Sequence, residues 1–223
     1  MIEAVFPVVE AIGIVAFGLS GYLVARRRCL DVYGTIVLAL VTALGGGTLR
    51  DLVLGRLPPS NLVSPLAVAL AAGLPLLLAL KPVDRLLHRV NSDRSLTLAP
   101  ALLVADAVGL AAFTVSGVSF AQATGDSVTL ALFCGVITAT GGGMMRDLLA
   151  GVVPAVLRRE IYAVASLVGA AGMVGLDALG VPSVVGITVA MSITFLVRIS
   201  AALLQLHLPV PSGCEAEGEE ADP

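Results

Sequence analysis

Two fourteen-residue stretches of this chain are near copies of each other: Thr42 to Gly55 (TALGGGTLRDLVLG) and Thr138 to Gly151 (TATGGGMMRDLLAG) share nine of fourteen positions at an offset of 96 residues. At the same offset Glu10 to Gly21 matches Asp106 to Gly117, with six of twelve positions identical. One ungapped register serving both matches marks an internal duplication, so the two halves must share one fold. Each copy sets three glycines and then an Arg-Asp pair inside an apolar segment. In a membrane, charge and interrupted backbone are costly unless they line something polar, which makes the duplicated motif a candidate permeation site.

The membrane setting follows from composition. The chain is 57% hydrophobic and 13% charged, with mean hydropathy +1.00 and no tryptophan, against about 25% charged residues in soluble domains. The segment Met1 to Val24 lacks the basic start and cleavage pattern of a signal peptide and is expected to remain as a helix. Cys29, Cys134 and Cys214 have no metal or redox spacing, and His88 and His207 have no metal-ligand company. The net charge of −3 comes partly from Glu215, Glu217, Glu219, Glu220 and Asp222 and gives no basis for a nucleic-acid partner.

A membrane helix needs about 20 mostly apolar residues. That rule predicts an all-α integral membrane fold with seven spans at 5–25, 33–56, 62–80, 98–119, 127–152, 160–177 and 183–204. They group as a first three-helix repeat (5–80), a second (98–178), a seventh helix (183–204) and a disordered acidic tail (208–223). Setting aside Arg50 and Arg146 as intramembrane, one face receives Arg26, Arg27, Arg28, Lys81, Arg85, Arg89, Arg94, Arg158, Arg159 and Arg198, and the other only Arg56. The positive-inside rule then puts the amino terminus outside and the carboxyl terminus in the cytoplasm of a cell (inner) membrane. Because a three-helix unit ends on the side opposite its start, the second repeat is inverted relative to the first. The basic runs read as topology signals or as contacts for anionic membrane lipids.

Gly45, Gly46, Gly47 and their mates Gly141, Gly142, Gly143 lie mid-span. Helix-interior glycine costs about 1 kcal/mol relative to alanine, so a triplet invites a kink, an unwound stretch or very close helix approach. Packing between helices is the plain alternative. Glu10, Arg50 and Asp51, and likewise Asp106, Arg146 and Asp147, are expected to pair, either as a structural clamp or as groups that set the electrostatics of a water-filled path. Thr42, Thr48, Thr138, Thr140, Ser20 and Ser116 offer uncharged oxygens at that level, either to an ion or to their own helix carbonyls. Phe17 and Phe113 are core or a paired apolar constriction.

With these blocks in place, the chain resembles the prokaryotic trimeric intracellular cation (TRIC-type) channels over about residues 5–204. The resemblance implies a seven-helix protomer with its own pore, assembly as a homotrimer, the second and fifth helices kinked at their glycines, and passage of potassium with some sodium. It places Gly45 to Gly47 and Gly141 to Gly143 at the pore, with Arg50, Asp51, Arg146 and Asp147 beside it. The lysine-and-glutamate lipid-binding motif of animal members is replaced here by Thr48-Leu49-Arg50-Asp51. Bacterial proteins with the same repeated domain have also been classed as small amino-acid (glycine) transporters, the alternative to a channel. No cofactor motif, metal cluster or nucleophile–base pair points to an enzyme.

Overall fold

The computed structural model describes residues 2–79, 94–125, 127–158 and 161–206. The tail expected to be disordered, and Lys81, Arg85, Arg89 and Arg159 of the basic face, lie outside the described residues. Among the described residues the secondary structure is entirely helical. In chain order the helices are α1 (Ile2–Arg27), α2 (Val32–Val53), α3 (Ser60–Val63), α4 (Pro65–Ala79), α5 (Arg94–Gln122), α6 (Val128–Leu149), α7 (Ala155–Arg158), α8 (Ala163–Ala178) and α9 (Ser183–Leu203).

The duplication is visible in how helices start and stop. Asp31 caps α2 by accepting from Gly34 N at 2.7 Å, and Ser127, its mate at the 96-residue offset, caps α6 by accepting from Leu130 N at 3.2 Å. Both helices end in the same reversal. Gly55 (φ 68°) and Gly151 (φ 72°) adopt the left-handed conformation that glycine takes without strain, while Arg56 N and Val152 N reach back to the carbonyls of Asp51 and Asp147. The spans expected at 33–56 and 127–152 therefore stop earlier, at Val53 and Leu149.

Five described helices are long and apolar enough to cross a membrane: Val5–Arg27, Val32–Val53, Ala99–Gln122, Val128–Leu149 and Ser183–Leu203. The spans expected at 62–80 and 160–177 are shorter, with apolar helices at Pro65–Leu78 and Ala163–Ala178. Each follows a four-residue helix, α3 or α7. In the first case the interruption has a clear cause: Ser64 is extended (φ −88°, ψ 109°) because the ring of Pro65 disfavours helical geometry in the residue before it.

The core has two principal parts. In one, Phe17, Phe113, Leu44, Ala43, Ala139 and Tyr162 join α1, α2, α5 and α6 to the start of α8. In the other, Val115, Val118, Cys134, Ala170, Ile187 and Ala190 join α5 and α6 to α8 and α9. Helix α9 packs on α5 and α8, beside the second repeat.

Candidate functional site

The glycine triplets do not unwind their helices; α2 and α6 run as continuous α-helix through both. Very close approach is what they permit. A Cβ on Gly46 would overlap the carbonyl oxygen of Thr138, and one on Gly142 would overlap the carbonyl oxygen of Thr42. These two contacts exchange under the 96-residue offset, so the helices meet reciprocally, backbone against backbone. The interruption expected within spans two and five falls instead one helix later, between α3 and α4 and between α7 and α8.

On either side of this crossing sits a buried arginine. Arg50 is fully buried: its Nε donates to Asp51 Oδ1 at 2.8 Å, Nη1 to Ser116 Oγ at 3.1 Å and Nη2 to Ser60 Oγ at 3.2 Å. Glu10 Oε1 lies 3.6 Å from Nη1, and the guanidinium stacks 3.5 Å over the Phe120 ring. Arg146 repeats the pattern, with Nε on Asp147 Oδ1 at 2.8 Å and Nη1 on Asp106 Oδ1 at 2.7 Å, and with Nη1 also donating to Ser20 Oγ. Each arginine thus takes one serine, Ser116 or Ser20, from the other repeat. The expected pairing of charges is what the structure has, since a buried charge without a partner costs several kcal/mol.

The two aspartates also anchor the short helices. Asp51 Oδ2 accepts from Ser60 N at 2.7 Å and from Ser60 Oγ at 2.6 Å, and Asp147 Oδ2 accepts from Ala155 N at 3.0 Å. Carboxylates at the amino ends of α3 and α7 satisfy backbone donors that a helix start leaves open. One Arg-Asp unit therefore fixes the end of a long helix, the start of the next and a residue of the opposite repeat.

Arg50 bridges Glu10 to Ser116, whereas Arg146 bridges Asp106 to Ser20. Helices α1 and α5 therefore run antiparallel. The ten residues from Glu10 to Ser20 separate the clusters by about 15 Å of helix rise. Between them stand Phe17 and Phe113, both fully buried, with ring centroids 5.1 Å apart in an edge-to-face pair. A Cβ on Gly13 would come 2.9 Å from Phe113, and one on Gly109 would overlap Phe17, so each ring fills the space left by a glycine of the facing helix. A cavity of about 340 Å³, lined in part by Arg27, Arg28 and Leu102, opens onto Arg146 and Asp147.

The threonines turn to their own helices. Thr42 donates to Leu38 O and Thr138 to Cys134 O, both at 2.5 Å, while Thr48 donates to Leu44 O at 2.9 Å and Thr140 to Val136 O at 2.8 Å. Arg198, placed by sequence among the cytoplasmic topology charges, is instead 8% exposed within α9, its guanidinium 4.9 Å from the centroid of the Tyr162 ring. Phe120, Asn61 and Tyr162 escape a search by repeat, because at the 96-residue offset they face Val24, Leu157 and Leu66. The signal for Asn61 is its neighbour: the Pro58-Pro59-Ser60-Asn61 turn follows Asp51 closely enough for Ser60 to reach it.

The chain is similar in sequence and fold to known membrane proteins. A family model described as "Glycine transporter" matches residues 7–81 and 103–178. A UPF0126 membrane protein of Vibrio cholerae is 37% identical over 206 residues, covering 90% of this chain and 80% of the relative. The UPF0126 inner membrane protein YadS of Escherichia coli is 36% identical, covering 90% and 93%. Among solved structures, the TRIC trimeric intracellular cation channel orthologue of Rhodobacter sphaeroides superposes with TM-score 0.80 at 38% identity, covering 91% of this chain and 99% of that one. A TRIC cation channel described in work on conductance gives TM-score 0.77 at 37% identity, covering 96% and 99%. A prokaryotic TRIC channel in 0.5 M KCl gives 0.81 at 28% identity, covering 92% and 100%.

Proposed function

The chain belongs to the family described as glycine transporter, which takes in the UPF0126 membrane proteins, and from that premise we propose that it is a monovalent cation channel with a pore in each protomer. The observation that carries the reading is the pair of buried Arg-Asp clusters on either side of the glycine crossing and the Phe17–Phe113 pair. This arrangement puts fixed charge and polar atoms at two depths of an apolar bundle, with an aromatic partition between them. Its similarity in fold to cation-channel structures, at up to 38% identity, supports the same reading.

In this reading the potassium-preferring path runs between α1, α2, α5 and α6. The glycines let α2 and α6 approach, and small changes in that crossing open or close the space around the two phenylalanines. Glu10 and Asp106 supply negative field against the arginines, which keeps the path attractive to cations. The cavity beside Arg27 and Arg28 is the cytoplasmic mouth. Two oppositely oriented three-helix repeats (5–80 and 98–178) and a seventh helix (183–204) form each of three protomers, and α4 and α8 complete their spans with α3 and α7. The antiparallel course of α1 and α5 supports the inversion.

The family description keeps a second reading in view, a carrier of a small amino acid such as glycine. Purified protein in a planar bilayer, under asymmetric potassium chloride with glycine present and absent, separates the two. Discrete current steps reversing near the potassium potential are expected. Absence of steps together with saturable counterflow of labelled glycine in liposomes would establish the carrier.

A further inference from the structure

The third glycine of each triplet faces a polar atom brought by the helix segment that follows. A Cβ on Gly47 would overlap the side-chain amide of Asn61, and one on Gly143 would lie 3.1 Å from the Tyr162 hydroxyl, 3.7 Å from Arg146 Nη2 and 3.9 Å from Asp106 Oδ1. Asn61 is 3% exposed and Tyr162 2% exposed. Asn61 Nδ2 has no hydrogen-bond partner in the protein; the Tyr162 hydroxyl makes no well-formed hydrogen bond and has only the neighbouring Asp106 carboxylate to interact with, and Glu10 Oε1 has only its 3.6 Å ion pair with Arg50. Buried polar atoms are as a rule satisfied, and one left without a protein partner calls for an explanation.

Both atoms occur at the same place in the two halves of the fold, although the residues are not repeat mates. Asn61 corresponds to Leu157, and Tyr162 to Leu66. An amide at one end and a phenol at the other thus arrive beside the duplicated glycine by separate routes. Apolar packing would be served as well by the leucines that stand at the mated positions, so a polar partner that comes and goes is the simpler account.

We propose that Asn61 and Tyr162 line the permeation path at the two ends of the glycine crossing, each hydrogen-bonding the hydration water of a passing monovalent cation. Asn61 does so next to Ser60, within the Arg50 cluster, and Tyr162 does so beside Asp106 and Arg146. The assignment rests on the channel reading above. Glu10 and Asp106 hold the cation by charge, and the two neutral groups orient its water as it meets the aromatic partition.

Thiol access tests this independently of current. In a background with Cys29, Cys134 and Cys214 replaced by serine, Asn61→Cys and Tyr162→Cys are treated in liposomes with a small cationic methanethiosulfonate applied to both faces. A variant keeping only the exposed Cys29 serves as control. Reaction of both cysteines within tenfold of the control rate is expected, with loss of potassium current on modification. A cysteine that stays unreactive while the control reacts overturns the assignment for that residue. Asn61→Leu and Tyr162→Phe, at unchanged melting temperature, are expected to lower unitary potassium current at least twofold. Unaltered unitary current and sodium-to-potassium permeability in both would overturn the proposal even if the thiols react. Wild-type protein that carries no current would sink the channel reading alone, while thiol access still decides whether these residues border water.

Discussion

At the scale of single residues, the arginines do what no other side chain could do at these positions. Arg146 spans Asp106, Asp147 and Ser20 with one planar fork, and Arg50 spans Asp51, Ser60 and Ser116 in the same way. A lysine ammonium keeps the charge but cannot reach all three partners at once. Arg146→Ala leaves two buried carboxylates unpaired and should cost about 3–5 kcal/mol, a large part of the margin of an ordinary domain. Arg146→Lys should fall between alanine and wild type. Arg56→Ala removes a contact to Thr124 near the surface and should lie within about 0.5 kcal/mol of wild type. Thermal unfolding in detergent, followed by loss of the folded peak in size exclusion, ranks the three; equal melting temperatures for Arg146→Ala and Arg56→Ala would remove the clamp from the account. The pairing was legible in sequence because burying a charge demands a partner, and Glu10, Arg50, Asp51 and their mates were the charges at hand. The serine swapped between repeats was not, since that depends on which helices face each other across the crossing.

At the scale of elements, the helix starts and stops of α2 and α6 follow from local chemistry: a capping Asp31 or Ser127 at one end, a left-handed Gly55 or Gly151 at the other. The role of the triplet was only half legible. Three glycines weaken a helix, but whether it breaks depends on what lies alongside, and here the gain from backbone contact keeps it intact. The break sits at Ser64-Pro65, where proline imposes it, and the third span of each repeat is the interrupted one. Substitution distinguishes the glycines that carry contact from those that do not. Gly46→Ala and Gly142→Ala place a methyl on the carbonyls of Thr138 and Thr42 and must push α2 from α6. A large fall in melting temperature and loss of flux are expected. Gly73→Ala meets nothing within 4 Å and should instead gain up to about 1 kcal/mol from helix propensity. A Gly142→Ala protein with wild-type stability would mean that the crossing is loose.

At the scale of the whole molecule, the two ends of the bundle differ in charge, and that difference predicts how it sits in a membrane. One end gathers Arg26 and Arg27 at the close of α1, then Arg28, Cys29 and the start of α5. The opposite end holds Arg56 beside Thr124, and Gln122 bonded to Asp177 at 3.1 Å. Translocating the first end would carry more arginines across than translocating the second, so the positive-inside rule predicts that the first end faces the cytoplasm. Moving Arg198 from the count, because it is buried against Tyr162, weakens that asymmetry by one charge and leaves its sign unchanged. Cys29 is exposed at the basic end, whereas Cys134 is fully buried, which makes Cys29 a reporter of sidedness once Cys214 is replaced by serine. In right-side-out membrane vesicles a membrane-impermeant maleimide should leave Cys29 unmodified until detergent opens the vesicle, and then label it to completion. Labelling before detergent would invert the molecule and exchange the two mouths. Labelling of half the protein would mean that both orientations insert and would overturn the charge argument.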